Sequence, residues 1–129
     1  MAGYDRPAYA THLNTTIHQA ETTINHNNSL CLFEQDMGYP LRRDTSDGYV
    51  NVAKNVACLI RTVNTVGNYD YMFDYSLYMD GSMEVKIRAS GYIQAMHYQP
   101  LSSGYGYRIQ EALSGAMHDV SRTFHAAIY

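Results

Sequence analysis

An all-β fold of mostly antiparallel strands and hairpins is what this sequence predicts, from three features. Tyrosine supplies 13 of 129 residues and tryptophan none, and tyrosine favours strands and half-wet packing surfaces, where its ring is buried and its hydroxyl finds a partner. The run from Tyr49 to Val66 is dense in β-branched residues, among them Val50, Val52, Val56, Ile60 and Val63. Two further aromatic and β-branched runs flank Asp80-Gly81, a dipeptide that readily takes the positive φ angles of a tight hairpin turn.

Taken in order, residues 1–28 are polar, with Asn, Thr and His recurring, and read mostly as loop with at best one short strand. Residues 29–129 read as the strand-rich part of the same domain. Ser29 to Glu34 is a short apolar run suited to a buried strand, Gln35 to Pro40 carries turn signals, and Thr45-Ser46-Asp47-Gly48 is another turn. Tyr49 to Val66 follows as a strand interrupted near Lys54-Asn55. The hairpin then occupies 68–89, and its second arm continues past Gly91 to Tyr98. Pro100 to Gly106 is loop by composition, and Tyr107 to Leu113 leans to strand. No internal repeat, low-complexity tract or dividing linker is visible.

With a two-residue turn at Asp80-Gly81, positions whose numbers sum to 161 face each other. Tyr69, Tyr71, Phe73, Tyr75, Leu77 and Met79 then share one face, since strand side chains alternate. Asp70 and Asp74 fall on the other face with Met72, Ser76 and Tyr78, opposite Met83, Val85, Ile87 and Ala89. That register leaves both aspartates among apolar neighbours.

The net charge is −3 and the 9 basic residues are scattered except for Arg42-Arg43, so no basic stripe is available to replace the counterions of a nucleic acid. No apolar run is long enough to cross a bilayer as a helix, and the first residues lack the charged-then-apolar layout of a signal peptide. An intracellular location without nucleic-acid or membrane partners is therefore expected. Cys31 and Cys58 both sit in apolar runs; free buried thiols and a disulfide are both open. His12, His18 and His26 read as solvated loop residues rather than metal ligands. Asn14-Thr15-Thr16 and Asn27-Asn28-Ser29 match the glycosylation sequon and read as chance matches.

The stretch Thr65-Val66-Gly67-Asn68-Tyr69-Asp70-Tyr71 resembles the signature of the copper-containing primary amine oxidases: Thr, two variable residues, Asn, Tyr, then Asp or Glu. The likeness extends to the run from Cys31 to Arg43 before it, to Asp80–Lys86 and Ala89–Ile93 after it, and to Leu113–Asp119. These stretches keep the family's order and approximate spacing from about Asp5 to Asp119.

The resemblance implies a fragment of the family's large β-sandwich catalytic domain, with Tyr69 as the precursor of topaquinone, made by bound copper(II) and dioxygen. The quinone would form a Schiff base with a primary amine, an aspartate would remove the α-proton, and aldehyde, ammonia and hydrogen peroxide would be released. Asn68 and Asp70 would hold the cofactor's backbone and ring. His118 matches the first copper ligand of a His-x-His pair, a spacing that aims both imidazoles to one side of a strand. Val120 occupies the second position, His125 would face away from His118 in a regular strand, and the chain ends before the third ligand. The isolated chain is therefore expected to be inactive. The family's catalytic aspartate would lie upstream of these residues, Asp44 stands where histidine is common, and Arg6 stands where many members have a cysteine, which leaves Cys31 without that partner. A homodimer is expected of the full-length family. The alternatives are a non-catalytic remnant that associates with a full-length homologue, and a small β-sandwich binding module.

Overall fold

In the computed structural model residues 1–99 and 106–116 are described, and the regular structure among them is all β. The strands are β1 (Thr11–Gln19), β2 (Thr22–Ser46), β3 (Tyr49–Val66), β4 (Tyr69–Tyr78), β5 (Met83–Gly91), β6 (Ala95–His97), β7 (Gly106–Gln110) and β8 (Leu113–Ala116). One compact unit comprises Met1–Ser90 and a second begins at Gly91. The first carries a five-stranded sheet in the order β1-β2-β3-β4-β5, a meander in which each strand pairs with its neighbour in sequence; the second carries a three-stranded sheet in the order β6-β8-β7. The all-β expectation is met.

Tight turns make the meander possible. Gln19 pairs with Thr22 across Ala20-Glu21, and Ala20 takes φ +51°. Ser46 pairs with Tyr49 across Asp47-Gly48, the turn expected there. The stretch 1–28 is not mostly loop: β1 and the first part of β2 form a ribbon within it. This ribbon is held by cross-strand polar pairs, Thr16 Oγ1 to Asn25 Oδ1 at 2.8 Å and Thr15 Oγ1 to Ser29 Oγ at 2.8 Å, with Ile17 opposite Ile24. A ribbon wet on both faces has no apolar alternation, so the usual sequence signal of a strand is missing.

The turn signals at 35–40 mark irregular pairing inside β2, not its end. Register shifts on either side of Pro40, Gly38 takes φ +79°, and the Gly38 N–H donates to Asp36 Oδ1 at 2.9 Å. β3 likewise runs unbroken past Lys54-Asn55, with Lys54 Nζ 3.1 Å from Asp36 Oδ2.

The core lies on one face of the larger sheet. Three rows cross its centre: Cys31, Arg61 and Asp74; Phe33, Leu59 and Ser76; Gln35, Ala57 and Tyr78. Ala10, Cys31, Phe33, Ala57 and Leu59 are its buried apolar members, with Met37 and Tyr78 packed against them. The N-terminal segment lies over this face: the Tyr9 ring meets Phe33 edge-on at 6.5 Å, and the Tyr9 hydroxyl donates to the Glu34 carbonyl at 3.0 Å. On the opposite face Leu32, Tyr75 and Leu77 remain exposed. Both cysteines are free; Cys31 pairs with Arg61 and Cys58 with Glu34, so alternation aims the two thiols to opposite faces.

The register of the β4–β5 hairpin differs from the expected one. The Gly81 N–H donates to the Tyr78 carbonyl at 3.1 Å and the Tyr78 N–H to the Ser82 carbonyl at 2.9 Å, with Gly81 at φ +85°. The loop is therefore Met79-Asp80-Gly81, a type I turn closed by a glycine bulge. Asp80 Oδ1 braces it by accepting from the Ser82 N–H at 2.8 Å and hydroxyl at 2.6 Å. Facing positions now sum to 160, and one residue of slip turns every β5 side chain over. Glu84 and Arg88, not Val85 and Ile87, share the face of Asp74: the Tyr78 hydroxyl donates to Glu84 Oε2 at 2.7 Å, and Arg88 Nη1 donates to Asp74 Oδ2.

Candidate functional site

The signature stretch folds into one tight hairpin. Val66 pairs with Tyr69 across Gly67-Asn68, so only two residues turn the chain. Gly67 takes φ +61° while Asn68 is absent from the positive-φ residues, which is the type II′ pattern with glycine in the first central position. Thr65 and Asp70 are the next facing pair, and the Thr65 hydroxyl donates to Asp70 Oδ1 at 2.6 Å. The threonine and the acid that bracket the signature thus bond to each other across the ladder.

Tyr69 points to the other side. It shares its face with Tyr71, whose ring centroid lies 6.4 Å away at an interplanar angle of 46°, and by alternation with Phe73, Tyr75 and Leu77. Asn68, Tyr69 and Asp70 are all half-buried. Asp70 thus faces away from the Tyr69 ring by alternation, while Asn68 lies in the turn.

Further along β4, on the face of Asp70, stands a cluster that the sequence reading did not identify. Asp74 accepts from Arg61 Nε at 2.6 Å and Nη2 at 2.8 Å, and also from Arg88. Side-chain exposure is 2% for Asp74, 15% for Arg61 and 49% for Arg88. Arg61 Nη1 donates to the Asp5 carbonyl at 2.7 Å, and its guanidinium lies 5.2 Å from the Phe33 ring centroid. Burial alone would push the Asp74 carboxyl up, but the hydrogen bonds and charges of Arg61 and Arg88 outweigh it and hold the group below the ordinary carboxylate range. The hydrogen bond to Asp74 raises Arg61 correspondingly, against its own burial. Burial pushes the Cys31 thiol up, partly offset by the charges of Arg6 and Arg61. The two-residue turn at Gly67-Asn68 was the signal for this cluster, because it fixes Arg61 opposite Asp74.

His118 lies outside the described residues, as do Val120 and His125. Among the described residues no three His, Cys, Asp or Glu side chains gather as a metal site. His12, His18 and His26 sit on strands rather than in loops, and His18 Nδ1 pairs with Thr23 Oγ1 at 2.9 Å.

The family model described as the enzyme domain of copper amine oxidase matches residues 1–127. The chain is 49% identical over 128 residues to copper amine oxidase vicK1 of Bipolaris victoriae (strain FI3), covering 98% of this chain and 18% of that protein. It is 40% identical over 121 residues to the copper-containing diamine oxidase of Sus scrofa, covering 88% of this chain and 16% of that one. The crystal structure of Aspergillus nidulans amine oxidase superposes with a TM-score of 0.68 at 50% identity, over 90% of this chain and 16% of that chain. The chain thus spans under a fifth of the length of these relatives.

Proposed function

The chain belongs to the copper amine oxidase family, and on that premise we propose that it carries the cofactor tyrosine, Tyr69, of a protein that oxidises primary amines to aldehydes with release of ammonia and hydrogen peroxide. The observation that supports this most directly is the hairpin itself. Thr65, Asn68, Tyr69 and Asp70 form one continuous turn in which the Thr65–Asp70 hydrogen bond locks the ladder. The phenol projects from the opposite face.

A quinone made from that phenol supplies a carbonyl carbon electrophilic towards amines. The chain's own residues do the positioning. Thr65 and Asp70 hold the backbone on either side of Tyr69, and Tyr71 borders its ring. His118 is our proposed copper ligand.

The proposed reactants are a primary amine and dioxygen, and the proposed assembly is a homodimer. Beyond Pro40 and Lys54, β2 and β3 pair among the described residues only with each other, and Leu41, Tyr49, Val50 and Val52 on that ribbon are exposed. A two-stranded ribbon of this kind is marginal in water without a covering partner, which a second copy would supply.

The test uses the intact protein that contains this segment, loaded with copper(II) under dioxygen. Phenylhydrazine labelling followed by peptide mass spectrometry should find the adduct on the Tyr69 peptide, and Tyr69→Phe should abolish it. An adduct on another tyrosine, or none in the copper-loaded protein, overturns the reading.

A further inference from the structure

We propose that Asp74 is a positioning residue for the face that carries Tyr69: by gripping Arg88 it sets the register of β5 so that the strand's cationic side chains turn away from that face. The role of the face rests on the function proposed above; the choice of register does not.

Two registers compete for the β4–β5 hairpin. A two-residue turn at Asp80-Gly81 would pair positions summing to 161 and bring Met83, Val85 and Ile87 beside Ser76 and the Leu59 core, which hydrophobic burial favours. The observed three-residue loop pairs positions summing to 160 and brings Glu84 and Arg88 there instead. Apolar burial does not explain that outcome. What the observed register gains is the pairing of Arg88 with a carboxylate that is almost wholly buried and already held by Arg61. A buried ionic group that fixes registry, at some cost in apolar packing, is an established use of such groups.

The consequence falls on the other face. With Glu84 and Arg88 on the face of Tyr78 and Asp74, alternation turns Val85, Ile87 and Ala89 to the face of Tyr69 and keeps Lys86 and Arg88 off it. Shifted by one residue, Arg88 would stand opposite Phe73 and Lys86 opposite Tyr75. Two cations would then share the face at which a protonated primary amine must arrive, and like charges there disfavour its approach. Asp74 acts through Arg88 and touches no reactant.

The test is nuclear magnetic resonance on the isotopically labelled full chain, reading Hα–Hα contacts between β4 and β5, which differ between registers summing to 160 and 161. Wild type should show the first set alone. Asp74→Asn should show mainly the second, and Arg88→Met, which leaves the Arg61 pair intact, should show both. The proposal is overturned if both variants keep the first set alone, or if Asp74→Asn loses its fold while Arg88→Met keeps the first set alone. A shift of register without any quinone on Tyr69 in the intact protein would uphold the register assignment and refute the function proposed for the face.

Discussion

Replacing Phe33 measures how much of the larger sheet's stability rests on one side chain. Phe33 is 7% exposed, lies in the row with Leu59 and Ser76, meets Tyr9 edge-on at 6.5 Å and 81°, and carries Arg61 over its ring at 5.2 Å. Truncation of a buried phenylalanine to alanine costs about 3–5 kcal/mol through lost transfer energy and the cavity left behind. Phe33→Leu refills much of that space and isolates what the ring adds. An aromatic pair contributes about 0.5–1.5 kcal/mol beyond burial and a partly desolvated cation over a ring about 0.5–1 kcal/mol. Phe33→Leu should therefore cost about 1–2.5 kcal/mol, and Phe33→Ala about 4 kcal/mol, which is most of the stability of a domain near the lower end of about 5–15 kcal/mol. Urea unfolding followed by circular dichroism, with the slope m checked for constancy, gives both values. A Phe33→Ala variant within about 1 kcal/mol of wild type would refute the assignment of the core to this face. Equal costs for the two variants would refute the role given to cavity volume.

Asp74 gives a pH dependence with a definite sign: its folded pKa is depressed, so its contribution is complete above the unfolded value of about 3.9 and is lost as pH falls through the folded one. Thermal unfolding should weaken below about pH 4 more steeply in wild type than in Asp74→Asn, and identical slopes would remove Asp74 from the acid response. Gly81→Ala, at φ +85°, should cost about 1–2 kcal/mol by the left-handed strain of a residue with Cβ; an unchanged melting temperature would contradict the three-residue loop. Asp70→Ala should cost only about 0.5–1.5 kcal/mol in stability, yet slow phenylhydrazine labelling of Tyr69 in the intact copper-loaded protein, and unaltered labelling kinetics would deny the Thr65–Asp70 bond a positioning role. Cys31, fully buried with a raised thiol pKa, should react with a thiol reagent only on unfolding, and labelling of the native chain at the rate of an exposed cysteine would exclude its place under the N-terminal segment.

The sequence by itself determined the fold class, the family and the signature, because each rests on neighbouring residues: β-branched and aromatic density makes strands, Asp47-Gly48 turns them, and Thr65 to Asp70 stand in a fixed local order. It left unread the polar ribbon of β1 and early β2, whose strands are joined by hydroxyl and amide pairs with no apolar stripe to betray them. Tertiary structure alone decided that Asp74 is a gripped carboxylate instead of an aspartate stranded among apolar neighbours. Arg61 reaches the carboxylate through the Gly67-Asn68 turn, whereas Arg88 reaches it only in the register observed at Gly81, and the Asp74–Arg88 pair formed from the neighbouring strand settles that register. Short-range sequence rules read turns and alternation, whereas the choice between two turns of nearly equal local merit is made by charges that meet only once the sheet has formed.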